Sequence, residues 1–431
     1  MRRYAVYRGS GVKWIGQIPE HWDSGHIRRF AKMKSGHTPS RGREEYWVNC
    51  TIPWFTLADV WQLRDGSRKY LGDTASEISQ LGLSHSAAEL LPAGTVVLSR
   101  TASVGFSGIM PAPMATSQDF WNWVCGPRLL PDYLLWTFRA MNEEFRSLVR
   151  GSTHQTIYQP IAAAMSMPAP PVTEQAAIAD YLDRETARID EMISQQEDLV
   201  AAMALRRDAA VRAAVWAKAS WRRVRNKNVL FETQDLSPSG NEELLSVSHI
   251  TGVGARADMD VNMIEALSTI GYKVVRPDDL VINTLWGWMG ALGVSQLHGI
   301  VSPAYGTYRA IDPSSVDMRF FGYLYRSSGY VGLIGANSRG VWSSRLRIYP
   351  ETFLAMPVDI PPLAEQTKIA DELDAVTTHL DLLSQECREL IALLKERRAA
   401  LITAAVTGQI DVRSELDLPD AEPKDRINSA H

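Results

Sequence analysis

The sequence is poor in cysteine and has no long apolar run. Its 431 residues include only Cys50, Cys125 and Cys387, an odd number with no CxxC pair. This usage argues against a disulfide framework or a thiolate zinc site and is typical of a reducing compartment. No stretch approaches the roughly 18 apolar residues of a membrane span, and no apolar run follows the basic N-terminus as in a signal peptide. We therefore expect a cytoplasmic protein without membrane contact.

The sequence also lacks the short motifs of common active sites. It contains no GxxxxGK[ST] phosphate loop, no HExxH, no GxSxG and no cluster of zinc ligands. Its nine histidines are scattered along the chain. We expect no catalytic residue and no metal site in this chain.

One stretch is present twice. Residues 170–190 read PPVTEQAAIADYLDRETARID, and residues 361–381 read PPLAEQTKIADELDAVTTHLD. The two copies align without gaps. A period of this size predicts two domain-sized units rather than a solenoid.

Each copy opens a long predicted helix. The double proline disfavours helix before it, and neither Gly nor Pro interrupts the next 44 or so residues, roughly 66 Å at 1.5 Å per residue. Apolar residues recur at spacings of three and four, as in a coiled-coil seam. The predicted seam is Ile178, Leu182, Ile189, Met192, Leu199 and Met203 in the first helix and Ile369, Leu373, Val376, Leu380, Leu383, Cys387, Leu390 and Leu394 in the second. We expect the helices to pack on each other, the alternative being amphipathic helices that line a globular core.

The regions before the two helices carry a fainter repeat. PAGTVVLSRTASVG at residues 92–105 matches PDDLVINTLWGWMG at residues 277–290, and Ile157-Tyr158 later matches Ile348-Tyr349 after a loop of different length. A retained scaffold with divergent loops predicts two related ligands, each read by its own loops. We divide the chain into globular domains at 1–168 and 218–359, long helices at 169–217 and 360–412, and a disordered acidic tail at 413–431.

Charge is distributed unevenly. The formal net charge is −4, but acidic residues are in excess in the two helical segments and basic residues in the first globular domain. Contact with a polyanion would therefore fall to the globular domains. Solvated surface charge is the simpler alternative.

Three motifs and the N-terminus resemble one known family. The duplicated PPxxEQxxIAxxLD, the GHTPS turn at residues 36–40 and the closing TGQIDV at 407–412 are similar to the specificity subunit of Type I restriction–modification enzymes. WIGQIPEHW at residues 14–22 is also typical of that family. The resemblance extends to about residue 412.

The resemblance implies an α+β fold: two globular α/β target recognition domains separated by two long antiparallel α-helices that form a coiled coil, internally duplicated with pseudo-two-fold symmetry. It implies a non-catalytic subunit that binds double-stranded DNA with a bipartite target at the nucleoid. Each domain would read one half, and the helix pair would set the spacing. The implied partners are two methyltransferase subunits, which use S-adenosylmethionine to methylate adenine N6, and in some assemblies two restriction subunits, which use ATP and Mg. The chain itself would hold no cofactor.

The loops supply side chains that suit base recognition. Arg can bind guanine, and Asn or Gln can bind adenine, through two hydrogen bonds. The candidate DNA-binding residues are Thr38, Ser40, Arg41, Arg43, Arg100, Ser152, Thr153, His154 and Gln155 in the first domain and Asn283, Trp286, Trp288, Ser302, Tyr305, Asn337, Ser338 and Arg339 in the second. A turn or a phosphate contact is the alternative role for each of them.

The acidic outer faces of the helices are the candidate docking surface for the methyltransferase. The residues are Glu174, Asp180 and Asp183 with their copies Glu365, Asp371 and Asp374. Helix capping and solubility are the alternative explanation. For the whole chain, a coiled-coil scaffold whose globular domains bind proteins rather than DNA is the competing interpretation. An enzyme with an unrecognised site is the third.

Overall fold

The computed structural model describes residues 3–148, 156–216, 220–259, 268–340 and 346–413. The chain forms two compact units: unit 1 comprises Met1–Gln196 with Leu390–His431, and unit 2 comprises Glu197–Glu389. Both boundaries fall inside long helices, so each unit contains part of both helices. The predicted division instead gives each long helix a segment of its own. Residues 414–431 of the predicted tail lie outside the described residues.

Unit 1 is built on a four-stranded antiparallel sheet. Its strands are β1 Tyr7–Gly9, β2 Gln17–Pro19, β3 Asp23–His26, β4 Ala31–Ser35, β5 Ile52–Phe55, β6 Glu77–Ile78, β7 Val96–Ser99, β8 Ser107–Ile109, β9 Ala115–Thr116, β10 Phe120–Cys125 and β11 Ser166–Ala169. Its helices are α1 Gln80–Ser84, α2 Pro131–Ala140, α3 Asn142–Leu148, α4 Gln159–Ala164 and the beginning of α5 Val172–Val215. The main sheet has the order β4-β10-β7-β8.

Both faces of this sheet are covered, because the sequence of β10 places large side chains on each. Successive strand residues point to opposite faces. Trp121 and Trp123 belong to the core shared with α2 and α5, and Phe120 packs in a second cluster with Phe55 of β5. The sheet is therefore a rigid middle layer that fixes where its loops emerge.

Unit 2 repeats this plan. Its strands are β12 Arg222–Arg225, β13 Leu230–Glu232, β14 Leu245–Ser248, β15 Gly252–Ala255, β16 Lys273–Val275, β17 Leu280–Asn283, β18 Leu292–Val294, β19 Gly299–Val301, β20 Tyr305–Ala310 and β21 Pro357–Ile360. Its helices are α6 Met318–Arg326, α7 Ser328–Asn337, α8 Pro350–Ala355 and the beginning of α9 Leu363–Val406. The main sheet has the order β13-β20-β17-β18, which is the order of unit 1. The faint sequence repeat thus corresponds to one shared frame.

The two long helices are each 44 residues, as predicted. In unit 1, Ile178, Leu182 and Ile189 of α5 share a core with Leu394 and Ile402 of α9. In unit 2, Met203 of α5 packs on Leu380 and Cys387 of α9. Arg207 pairs with Asp381 and Met203 contacts Ser384, so the two helices run antiparallel there. None of the helices in the described ranges is both long and apolar enough to cross a membrane.

The predicted seam is correct at most positions and wrong at four. Met192 and Leu199 of α5 and Val376 and Leu390 of α9 are 40–47% exposed. An α-helix turns once per 3.6 residues, so a strict alternation of three and four drifts away from the partner helix. Ile193, buried in unit 1, takes the inward place next to Met192. In unit 2, Val200 similarly packs inward in place of Leu199.

Candidate nucleic-acid interface

Each main sheet presents a group of polar loops at one end, which we call its loop end. In unit 1 this is where β4 and β7 finish and β10 begins, since Ser35 pairs with Trp121 and Ser99 with Phe120. In unit 2 it is where β17 finishes and β20 begins, with Asn283 opposite Tyr305. Antiparallel pairing therefore brings segments that are far apart in sequence together at one end of the sheet.

The loop end of unit 1 is organised around Gln118. Thr38 Oγ1 donates to Gln118 Oε1 over 2.6 Å, and Arg100 Nε donates to the Gln118 carbonyl oxygen over 2.6 Å. Gly36 allows this approach, because a Cβ there would lie 2.2 Å from the Ser117 carbonyl oxygen. Two predicted residues, Thr38 and Arg100, are thus brought together by an exposed glutamine that the sequence analysis missed. Its position two residues before β10, in a loop between two strands, was the available signal.

Arg100 is held rather than free. Its guanidinium carbon lies 4.3 Å from the ring centre of Trp121, and burial lowers the pKa of this arginine from its ordinary value. With Nε bonded to the protein, the planar guanidinium is fixed in orientation. A pre-oriented guanidinium is suited to bidentate recognition of a base edge or a phosphate.

In the loop after β4, the predicted residues Ser40 and Arg41 contact Trp47. The Trp47 indole donates to the Ser40 carbonyl oxygen over 3.1 Å, and the Arg41 guanidinium lies 5.7 Å from the Trp47 ring centre. Arg43 forms a 3.6 Å ion pair with Glu45, and both side chains are well exposed. Exposed pairs of this kind contribute little, so Arg43 can exchange partners. Ser152, Thr153, His154 and Gln155 lie outside the described residues.

The loop end of unit 2 combines hydrogen-bonding groups with tryptophans. Asn283 Nδ2 donates to the Tyr305 hydroxyl over 3.2 Å, and burial raises the pKa of Tyr305. Trp286, 48% exposed, stacks on Trp288 with ring centres 6.4 Å apart. Ser302 precedes Tyr305, and its hydroxyl accepts from the Ala304 amide over 3.3 Å. These five predicted residues occupy one end of the sheet, so one ligand could contact several of them.

The three remaining predicted residues have different roles. Asn337 and Ser338 donate side-chain hydrogen bonds to the carbonyl oxygens of Leu333 and Ile334, at 2.9 and 2.8 Å. These hydrogen bonds complete the end of α7, and a DNA contact by either residue stays a prediction. The backbone of Arg339 pairs with that of Arg347. Arg347 was missed by the sequence analysis, although it directly precedes the repeated Ile348-Tyr349.

Glu174 does not lie on an outward docking face, contrary to the sequence-based expectation. It is 5% exposed and accepts hydrogen bonds from the Tyr4 hydroxyl at 3.0 Å and the Trp22 indole at 2.9 Å. His21 Nε2 lies 2.7 Å from its other oxygen. Its partners show that Glu174 ties the N-terminal segment to α5. Glu365, its copy, is half-buried.

Asp183 and Asp374 also have partners within their own units. Asp183 binds Lys69 Nζ at 2.6 Å and accepts from the Trp136 indole at 3.1 Å. Asp374 binds Arg319 at 2.9 Å and accepts from the Tyr323 hydroxyl at 2.6 Å. These bonds attach each globular part to its long helix. They leave Asp180 and Asp371 as the exposed acids of the predicted docking set, although Asp371 also lies 2.8 Å from Arg319.

The chain is similar to proteins of one system. Residues 19–200 match the family model of the Type I restriction modification DNA specificity domain. A Type I restriction enzyme specificity subunit from Methanocaldococcus jannaschii is 28% identical over 187 residues, 43% of this chain and 42% of that protein. The EcoprrI specificity subunit from Escherichia coli is 30% identical over 94 residues, 22% of each chain. The matches thus span less than half the length of these curated relatives.

Two solved structures share the fold over most of the chain. A chain from a type I R-M system assembly has a TM-score of 0.69 at 16% identity and covers 91% of this chain and 99% of its own. The HsdS subunit from Thermoanaerobacter tengcongensis has a TM-score of 0.51 at 16% identity, with 91% and 98% covered. At this identity the likeness establishes the fold.

Proposed function

We propose, from the Type I specificity domain that residues 19–200 match, that the whole chain is the specificity subunit of a Type I restriction–modification system. The observation that carries the extension to unit 2 is the repeated frame. Both main sheets have the same strand order, and both end in loops that present polar and aromatic side chains. A frame used twice with different loops fits a bipartite DNA target, with one half read by each unit.

The chemistry of the loop ends supports base recognition. Arg100 offers a fixed guanidinium, which suits the O6 and N7 acceptors of guanine, and Gln118 and Asn283 offer amides, which suit adenine. Ser and Thr hydroxyls beside them can bond to bases or phosphates. Each unit would therefore distinguish base pairs in the major groove through a few held side chains.

We further propose that the chain supplies specificity and leaves catalysis to its partners. Two methyltransferase subunits would bind S-adenosylmethionine and methylate adenine N6, and restriction subunits, where present, would use ATP and Mg. The assembly would act on DNA in the cytoplasm, and the long helices would set the distance between half-sites.

The exposed acids Asp180 and Asp371 are the proposed docking positions for the methyltransferase. Charge reversal of both to Lys should reduce co-purification with the methyltransferase, because an acidic contact becomes repulsive. Lys substitution of both exposed Glu197 and exposed Asp198 is the charge-matched control. Normal assembly of the double variant would contradict this docking face.

The test of the proposed function is a domain exchange. Residues 23–165 are replaced by the same region of a relative, and methylated bases in the host genome are sequenced. We expect one half of the methylated motif to change while the other half is retained. A motif that changes in both halves, or in neither, would contradict the division of labour.

One observation favours protein binding by unit 2. Leu285, Trp286 and Met289 are 41–48% exposed and follow β17 directly, and exposed apolar patches often mark protein contacts. The same side chains can instead pack on thymine methyl groups or between bases. A gel-shift with genomic DNA, with and without the methyltransferase, separates the two interpretations, because a protein-binding scaffold would retard no DNA.

A further inference from the structure

Two exposed tyrosines occupy the same place in the two units. Tyr158 is 61% exposed and Tyr349 is 40% exposed. Each follows an isoleucine and stands at the N-cap position of a short helix, Tyr158 before α4 and Tyr349 before α8. The repeat therefore retains a solvent-exposed aromatic hydroxyl where the preceding loops differ in length.

Neither local folding nor packing explains these tyrosines. N-cap positions favour Ser, Thr, Asp and Asn, whose short side chains bond to the first helical amides. Neither tyrosine forms such a cap bond, and both leave much of the ring in solvent. The neighbouring isoleucines, in contrast, are buried and account for the packing of the segment.

The backbone places both tyrosines at the loop ends. The Ile157 amide donates to the Arg100 carbonyl oxygen over 2.8 Å, and the Trp121 indole donates to the Ile157 carbonyl oxygen over 2.8 Å. In unit 2 the Ile348 amide donates to the Thr284 carbonyl oxygen over 3.0 Å. Tyr158 thus follows a residue bonded to the loop after β7, and Tyr349 follows a residue bonded to the loop after β17.

Each loop end also contains an arginine whose Nε is bonded to the protein, although the two arginines come from different positions of the repeat. Arg100 Nε is bonded to Gln118, and Arg347 Nε donates to Thr284 Oγ1 over 3.1 Å. The Arg347 guanidinium lies 5.9 Å from the Tyr349 ring centre. Within the described ranges, the terminal Nη atoms of both arginines form no hydrogen bond to the protein. In unit 2, the Tyr349 hydroxyl and the Arg347 guanidinium together suit a tetrahedral anion.

We propose that Tyr158 and Tyr349 are equivalent, sequence-independent DNA contacts, each donating its hydroxyl to a backbone phosphate. Under the proposed function the two units read their half-sites with different loops, so a side chain kept in both units fits what the half-sites have in common, which is the sugar–phosphate backbone. This inference rests on the proposed function. It separates positioning contacts, retained in both copies, from the divergent loop residues that read bases.

The experiment uses the full chain assembled with its methyltransferase. Tyr158→Phe, Tyr349→Phe and the double variant remove only the hydroxyls, and Tyr70→Phe is the control. Tyr70 is 49% exposed but lies beside Ile109, away from the loop end. Affinity is measured for a duplex carrying the methylated motif and for a scrambled duplex of equal length.

We expect Tyr158→Phe and Tyr349→Phe each to weaken DNA binding about tenfold, or about 1.4 kcal/mol, for both duplexes. The ratio of the two affinities and the methylated motif should stay unchanged. The salt dependence should also stay unchanged in the tyrosine variants, whereas Arg347→Gln should reduce its slope by about 0.9, the value for one phosphate contact.

Three outcomes would overturn the inference. Wild-type affinity in the double variant would show that the tyrosine hydroxyls do not contact DNA. A changed ratio of the two duplex affinities, or a changed methylated motif, would show that the tyrosines read bases. Reduced co-purification with the methyltransferase would identify a partner contact instead. A wild-type complex that retards neither duplex would overturn the proposed function itself, which keeps the two failures distinguishable.

Discussion

The loop ends of the two units differ although the sheets behind them have the same strand order. In unit 1 the exposed groups are mainly polar, with Gln118 bonded to Thr38 and Arg100. In unit 2 an exposed Trp286 stacks on Trp288. The comparison teaches that the buried strands set where the loops emerge, while the loop residues set which side chains each unit exposes there.

Under the proposed function, the largest expected effect is that a substitution in one unit impairs recognition of one half-site and leaves the other unchanged. Arg100→Ala should cost about 1–3 kcal/mol of discrimination, roughly fivefold to 150-fold, at one base pair of the first half-site, because a bidentate contact is lost. Asn283→Ala should do the same only in the second half-site. Affinities for duplexes with single base-pair changes measure both. Loss of discrimination in both halves by either variant would contradict the comparison.

Trp286 tests whether the apolar loop end of unit 2 contacts DNA. Trp286→Ala should weaken binding of the cognate duplex on the order of tenfold, within the range for one aromatic–base contact, while Trp286→Phe retains most of the affinity. Trp61→Ala is the control, since Trp61 is 63% exposed in a turn of unit 1. Fluorescence anisotropy measures the affinity. Equal affinities of Trp286→Ala and wild type would favour the protein-binding interpretation of this patch.

The ion pairs that attach each globular part to its helix allow a comparison of stability. Lys69 bridges Asp132 and Asp183 with 20% of its side chain exposed, whereas Arg319 bridges Asp317, Asp371 and Asp374 with 39% exposed. Lys69→Met should therefore destabilise the chain more, by about 1–2 kcal/mol, because the base that it removes is less exposed to solvent and its two half-buried acids lose a charged partner. Urea unfolding measures both variants. A greater loss for Arg319→Met would contradict the order.

The ion pair between Arg319 and Asp317 has a pH dependence with a defined sign. Burial would raise the pKa of Asp317, but the hydrogen bonds and charge of Arg319 outweigh it, so this pKa lies below its ordinary value. A carboxyl with a depressed folded pKa contributes stability above its unfolded pKa, about 3.9, and loses it as pH falls through the folded value. The stability gap between wild type and Arg319→Met should therefore narrow below about pH 4.

Arg43 should have the smallest effect. Its side chain is exposed and is paired with Glu45, so Arg43→Ala should change affinity for cognate DNA no more than about threefold, as for a single screened phosphate contact. Titrations at two salt concentrations measure the change. A loss as large as that of Arg100→Ala would show that the exposed loop after β4, rather than the held guanidinium, carries the reading of the first half-site.

Much of the fold could be predicted because it follows from local rules. The double prolines, the absence of Gly and Pro, and the apolar periodicity predict both helices from residues 172 and 363 onward. Exact inward positions could not be predicted, as Met192 and Leu199 demonstrate, because the partner helix selects among neighbouring apolar residues. Glu174 looked like a surface acid for the same reason, since its partners Tyr4 and Trp22 are distant in sequence.

For the candidate site, residue types were predictable and their roles were not. Arg100, Asn283 and Trp286 were identified from side-chain chemistry and lie at the loop ends. Gln118 and Arg347 were missed because their importance depends on hydrogen bonds to Thr38 and Thr284, which the sequence does not reveal. The hydrogen bonds of Asn337 and Ser338 at the end of α7 could not be predicted, because they depend on where that helix ends.

The sequence by itself determined that the chain is duplicated, that each copy carries a 44-residue helix, and that loops diverge between copies. These features depend on periodicity and backbone preferences, which act over a few residues. Only the tertiary structure decided that each compact unit contains part of both helices and that the two copies have one strand order. It also decided that Thr38, Arg100 and Gln118 meet at the loop end of unit 1. The reason is that strand pairing and burial join residues far apart in the chain, and local sequence does not encode those partners.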